Sequence, residues 1–128
     1  MDIATLGHGK YLSLTTFRKD GTAVATPVWL VRDGDALRVI TQADSGKAKR
    51  IRNDPRVRVA PCDARGNVKG ESVDAVATLE DAEQTVVTAS MIEKRYGLLG
   101  RILMWRNRRA ARKPGAAGPV GIRIALGS

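Results

Sequence analysis

The sequence predicts a mainly β fold with α additions: six strands, mostly antiparallel, closing on themselves as a small barrel in one domain over 1–128. Three observations carry this. Alternating apolar and polar runs are separated by Gly-bearing turns. A short basic helix follows the third strand, and a stretch of helical period over about 81–113 precedes the last one. An immunoglobulin-type sandwich has no natural place for either helical piece.

Lys10 to Phe17 is rich in β-branched and aromatic residues and reads as the first strand. Arg18-Lys19-Asp20-Gly21 carries an Asp-Gly turn signal, after which Thr22 to Val31 returns as the second strand of a hairpin. Asp33-Gly34-Asp35 turns the chain into Ala36 to Gln42, where Leu37, Val39 and Thr41 alternate with Arg38, Ile40 and Gln42. Beyond the basic helix, Arg56 to Cys62 sends valines to one face and arginines to the other, as a half-buried strand does. Asp63-Ala64-Arg65-Gly66-Asn67 turns into a fifth strand over Val73 to Leu79.

Near Glu80 the period changes. Asp81-Ala82-Glu83 places acids at a helix start, and Val86, Ala89, Ile92 and Tyr96 recur at helical spacing as its core face. Gly97 and Gly100 interrupt or bend this helix, and Pro114-Gly115 ends it after the basic run Arg106 to Lys113. Residues 114–119 form a loop, and Pro119 to Leu126 is the last strand.

The net charge of +9 is local. Residues 1–93 hold 13 basic and 13 acidic side chains, whereas residues 94–128 hold nine basic and no acidic ones. A basic domain built throughout for nucleic acid is therefore not the expectation. One cysteine, Cys62, excludes an internal disulfide, and no residue cluster has metal-ligand spacing, which fits a reducing, cytoplasmic setting. The N-terminal residues lack the basic and apolar regions of a signal peptide, and no apolar run approaches the roughly 20 residues of a membrane span.

The segment Ser45 to Val57 concentrates the functional information. Ser45 and Gly46 open a helix whose free N–H groups and positive dipole end favour an anion, and Lys47 and Arg50 add full charges one turn apart. Asn53-Asp54-Pro55 stops it, because proline disfavours helical geometry in the residue before it. The bland alternative for Lys47, Lys49, Arg50 and Arg52 is a solvated helix face.

Taken in order, Leu14-Thr15-Thr16 with the Asp20-Gly21 turn, Ala25-Thr26-Pro27-Val28-Trp29, Ser45-Gly46-Lys47-Ala48 with Asn53-Asp54-Pro55-Arg56-Val57, and Ala60-Pro61-Cys62-Asp63-Ala64-Arg65-Gly66 resemble a known family. The chain is similar to the split β-barrel flavin and deazaflavin oxidoreductases related to pyridoxamine 5′-phosphate oxidase, most of all to short members that bind coenzyme F420. The resemblance implies a homodimer with the cofactor cleft at the subunit interface. It gives Lys47 the cofactor phosphate, with Ser45 and Gly46 as the donating turn and Lys49 and Arg50 as adjacent candidates. It places Thr41 and Gln42 beside the ribityl chain, and Thr26, Pro27, Val28 and Trp29 along the ring. It implies hydride transfer from the reduced deazaflavin to an unsaturated small molecule. FMN in the same fold, or a non-catalytic flavin, deazaflavin or haem carrier, are the alternatives.

Other residues have two readings each. Trp29 is a core or dimer-interface aromatic, or a ring contact. Tyr96 is core, or a catalytic proton donor directed into the cleft. Cys62 reads as a packed thiol, and His8 as a capping or mobile residue. The run Arg106 to Lys113 reads first as a solvated or dimer-facing helix end, complementing the helix dipole. Peripheral membrane contact, through the preceding Ile102-Leu103-Met104-Trp105, comes second, and nucleic acid third.

Overall fold

The two edges of the sheet are joined by only two residues, and this decides the architecture. In the computed structural model, which describes residues 3–111 and 118–126 apart from the side chains of 4 and 98–111, seven strands form one antiparallel sheet. They are β1 (Tyr11–Phe17), β2 (Ala23–Val28), β3 (Val31–Asp33), β4 (Ala36–Gln42), β5 (Arg56–Cys62), β6 (Val73–Leu79) and β7 (Pro119–Leu126). Their spatial order is β2-β1-β5-β6-β7-β4-β3. β2 and β3 are thus opposite edges, yet Trp29 and Leu30 alone separate them in sequence. Three Cα steps cover at most about 11 Å, so the sheet must curl until its edges meet. Closure is covalent, without a β2–β3 ladder, and the result is a split barrel.

The predicted count of six strands is corrected by that seam. Thr22 to Val31 does not run through as one strand: Ala23–Val28 pairs with β1, with Leu14 opposite Thr26, and Val31–Asp33 pairs with β4, with Val31 opposite Arg38. Apolar propensity continues across Trp29-Leu30, so the sequence pattern contains no break; the change of partner strand makes one.

Inside the barrel, Leu12, Leu14, Leu37, Val39, Ile122 and Ile124 are fully buried. A first helix, α1 (Ile3–His8), was not anticipated. Six residues cannot sustain a helix alone, and α1 is held by tertiary contacts, with Leu6 completely buried in the core. The basic helix is α2 (Gly46–Asn53), ending at Asp54 in extended geometry.

The long insert is α3 (Ala82–Ala111). Asp81 opens it, its Oδ1 accepting the Gln84 N–H at 2.8 Å. Gly97, at φ 60° and ψ −129°, breaks the helix where a break or bend was expected. Of its predicted core face, Ile92 is buried with Ala89 and Tyr96 packed beside it, and Val86 alone is misplaced. Val86 is 69% exposed, while Thr85 and Thr88 are buried with Ile92. At the start of α3 the sheet presents Arg38 and the Gly121 N–H, which draw Thr85 and Thr88 inward, while Val31 and Ile40 meet Ile92 further along. Thr85 Oγ1 accepts the Gly121 N–H at 3.0 Å, and Thr88 Oγ1 accepts from Arg38 Nη1 at 3.3 Å.

The basic side chains of 101–113 and the loop residues 112–117 lie outside the described residues, as does the membrane-facing reading placed on them. Among the described residues no helix is long and apolar enough to cross a membrane.

Candidate functional site

At the end of β4 the chain turns into α2 through a set of short-range hydrogen bonds, with the Ala43 N–H also donating to the Gly118 carbonyl at 2.8 Å. Ser45 is the N-cap of α2, with φ −67° and ψ 159°, and its Oγ accepts from the Ala48 N–H at 3.2 Å. Thr41 Oγ1 donates to the same oxygen at 3.2 Å, and the Ser45 N–H donates to the Gln42 carbonyl at 3.0 Å. Thr41, Gln42 and Ser45 thereby fix how the strand hands over to the helix. The N–H groups of Gly46 and Lys47, in the first turn, have no intrahelical acceptor by position.

No acidic residue lies in that first turn. Instead Lys47 is half-buried, and its ammonium pKa is lowered, first by burial and then by the Arg50 charge. Arg50 folds back toward the helix start. Its Nε donates to Thr16 Oγ1 at 2.6 Å, and a Cβ on Gly46 would lie 2.7 Å from its Nη1. Glycine at 46 therefore leaves room for the guanidinium. Two cations at the positive end of a helix repel it and each other, and an anion placed there relieves both terms.

Beside this corner lies a cleft of about 280 Å³. Five predicted residues line it together: Pro27, Val28, Trp29, Thr41 and Lys47. Tyr11, Ile40 and Ala64 complete the lining and were not singled out from sequence. Ala64 arrives on the Asp63–Asn67 turn, in which Asp63 Oδ1 accepts from the Arg65 and Asn67 N–H groups. Tyr11 was legible only as the start of a strand, because its access to the cleft depends on the seam. An apolar, aromatic-walled slot with one ammonium in its lining suits a flat ring that carries an anionic group.

The remaining predicted residues sit elsewhere. Thr26 alternates with the exposed Ala25 and Pro27 and does not line the cleft; its Oγ1 is buried without a hydrogen-bond partner among the described residues. Lys49 is exposed. Gln42 lies opposite Pro119 at the end of β4. Ser45 and Gly46 form the cap next to the cleft rather than its wall, and Arg50 stands behind Lys47 on Thr16.

Tyr96 lies behind the wall. Its ring stacks on Trp29 with centroids 4.3 Å apart and planes 3° from parallel. Its hydroxyl accepts the Leu30 N–H at 3.1 Å and faces the carbonyls of Lys10 at 2.7 Å and Leu30 at 3.0 Å. Burial is the main cause of its raised phenol pKa. The Cys62 thiol is likewise pushed up, by burial and then by Asp63. His8 is exposed at the end of α1, and its carbonyl accepts from Arg95 Nη2 at 3.2 Å.

A second hollow, of about 450 Å³, includes Phe17, Arg56, Arg58 and Val76 in its lining. Its arginines are paired, Arg56 with Asp54 and Arg58 with Asp74, each at 3.1 Å. It lacks the positive charge without an acidic partner among the described residues that distinguishes the smaller cleft.

No curated protein matches the sequence. Among solved structures, a conserved hypothetical protein of Mycobacterium tuberculosis is 23% identical with a TM-score of 0.71, the match covering 100% of this chain and 82% of that one. The haem storage protein HutZ of Vibrio cholerae is 16% identical with a TM-score of 0.69, covering 98% and 88%. A protein described as an F420 reductase is 21% identical with a TM-score of 0.62, covering 97% and 92%. At such identities these likenesses speak for the fold. The sequence itself goes further, since residues 4–118 match the family model for pyridoxamine 5′-phosphate oxidase. On that match and on the split barrel, the chain belongs to the pyridoxamine 5′-phosphate oxidase family.

Proposed function

We propose that the protein is an oxidoreductase that binds reduced coenzyme F420 in the Trp29–Lys47 cleft and passes hydride to an unsaturated small molecule. The observation that carries this reading is the pairing of an apolar, aromatic slot with a half-buried Lys47 at a helix N-terminus that has no acid of its own. When bound, the deazaflavin supplies the hydride chemistry. Lys47 and the free N–H groups of α2 hold its phosphate through charge-assisted hydrogen bonds. Trp29, Tyr11 and Pro27 wall off the ring and exclude water. The Tyr96 proton is committed to backbone carbonyls, so protonation of the acceptor draws on solvent.

A homodimer completes the site in this reading. The cleft of one chain, about 280 Å³, falls just short of the roughly 300–1,000 Å³ of cofactor pockets, and a second copy supplies the missing wall. Light scattering of the purified protein tests this, a monomer at working concentration counting against it.

FMN is the second reading, favoured by the supply of cations at the cleft among the described residues. Lys47 with Arg50 behind it suffices for one phosphate, whereas the polyglutamate tail of coenzyme F420 needs further positive charge. Titration of the protein with each coenzyme, followed by fluorescence, separates the two. Tighter binding of coenzyme F420, with consumption of its reduced form on adding enones or quinones, is the expected result. Preferential binding of FMN sinks the deazaflavin assignment, and tight binding without hydride consumption makes the protein a carrier.

A further inference from the structure

We infer that Tyr96 is a positioning residue that fixes the Trp29 indole as the aromatic wall of the cleft, across the seam where the barrel edges meet. The inference rests on the cofactor reading above and assigns the wall a role in selecting flat, conjugated ligands.

Trp29 and Leu30 form the link between the two sheet edges, outside either strand. A two-residue link of this kind has no ladder to order it, so its backbone groups need partners from elsewhere. Both come from the end of the first segment of α3. The Leu30 N–H donates to Tyr96 Oη at 3.1 Å, and the Leu30 carbonyl accepts from Arg95 Nη1 at 2.8 Å. The same two residues reach the segment that enters β1: Tyr96 Oη donates to the Lys10 carbonyl at 2.7 Å, and Arg95 Nη2 to the Gly9 carbonyl at 2.6 Å. One phenol thus ties together the seam and the start of β1. With an accepted N–H and a carbonyl for its single proton, its hydrogen bonding is occupied.

The ring of Tyr96 then does to the side chain what the hydroxyl does to the backbone. It covers one face of the Trp29 indole at 4.3 Å and nearly parallel. The cleft, which Trp29 shares with Thr41 and Lys47, receives the other face or the edge. An indole held on one side and lining a slot on the other is ordered before any ligand arrives, and pre-ordering lowers the cost of binding. Aromatic contacts are selective for flat rings, whereas the Lys47 corner answers only to charge. The two halves of the cleft therefore divide the recognition between ring and anion.

The test uses a Trp105→Phe background, in which Trp29 is the only indole. In the ligand-free protein, Tyr96→Leu is expected to increase acrylamide quenching of Trp29 and lower its anisotropy. Tyr96→Phe, which keeps the stack and loses the tether, should fall between Tyr96→Leu and the parent. Unchanged quenching and anisotropy in both variants overturn the inference. With FMN and coenzyme F420 as probes, Tyr96→Leu should weaken binding about two- to tenfold, the range of one aromatic contact. It should have no further effect in a Trp29→Ala background, and the affinity for inorganic phosphate should stay unchanged. Additive losses mean that Tyr96 touches the ligand itself, and an equal loss for phosphate means general damage; either result overturns the inference. If the parent binds neither coenzyme, the cofactor reading fails, and the quenching comparison still decides whether Tyr96 positions Trp29.

Discussion

The carboxylate of Glu80 occupies the space that a Cβ on Gly121 would fill, and the Glu80 N–H donates to the Gly121 carbonyl at 2.8 Å. From that position Glu80 accepts from Thr88 Oγ1 and lies 3.4 Å from Arg38 Nη1, with both charged side chains under a tenth exposed. The atom in the way is part of a buried ion pair, and no exposed chain end is free to swing aside. Gly121→Ala should therefore destabilise the fold by about 1–3 kcal/mol, the usual range for overpacking. A urea titration checks this: the midpoint should fall with the slope unchanged.

The same cluster makes Thr88 the important residue of its helix and Val86 a dispensable one. Thr88 is fully buried and bridges Glu80 and Arg38, while Val86 is mostly exposed. Thr88→Val keeps the shape and removes the hydroxyl, leaving buried charged partners short of a hydrogen bond. The expected cost is about 1–3 kcal/mol. Val86→Lys should lie within about 0.5 kcal/mol of the parent. Thermal unfolding of the two variants decides which face α3 turns to the sheet; a larger loss for Val86→Lys would mean the reverse orientation.

Local chemistry was legible in the sequence wherever a turn or a cap sets it. Ser45 caps α2, Asp54 ends it, and Gly21 and Gly66 adopt φ 89° at the turns marked by Asp20-Gly21 and Arg65-Gly66. What escaped depends on a partner distant in sequence. Nothing in Thr22 to Val31 says that its two ends pair with different strands, and a valine at helical spacing looks like core until Arg38 and Gly121 appear beneath it. The site divides in the same way. The Ser45 cap and the start of α2 are legible because they are local, whereas Pro27 to Trp29 line one cleft with Lys47 through the tertiary fold. Tyr11 and Ala64 reach the cleft only once the sheet has curled.

Gly46 is predicted to matter for binding more than for folding. A Cβ there meets the Arg50 guanidinium, the mobile end of a long side chain, so Gly46→Ala can be absorbed by moving Arg50. Alanine also favours helix over glycine by about 1 kcal/mol in a helix interior, which offsets part of any strain near the start. Stability should change by less than about 1 kcal/mol, while binding of a phosphate-bearing coenzyme weakens as the guanidinium leaves the corner. Calorimetric titration beside a melting curve measures both. Unaltered affinity would remove Arg50 and Gly46 from the anion site.

Lys47 ties pH to both stability and binding, with opposite signs. Its folded pKa lies below the ordinary 10.5, so between those two values the folded chain holds fewer protons than the unfolded one. Stability in the free protein should therefore rise with pH across that window, and the cost of burying the charge is fully present below it. Lys47→Met should accordingly leave the free protein at least as stable as the parent at neutral pH. A bound anion reverses the balance, because it favours the charged ammonium. Coenzyme binding should weaken as pH climbs through the lowered pKa, and Lys47→Met should lose the affinity of a charged hydrogen bond, about 1.5–3 kcal/mol or roughly ten- to a hundredfold. The decisive measurement is affinity against pH in both proteins. A parent whose affinity stays flat from neutral pH to above 10.5 does not use Lys47 to hold the anion, and a Lys47→Met variant that still shows the alkaline decline places the titrating group elsewhere.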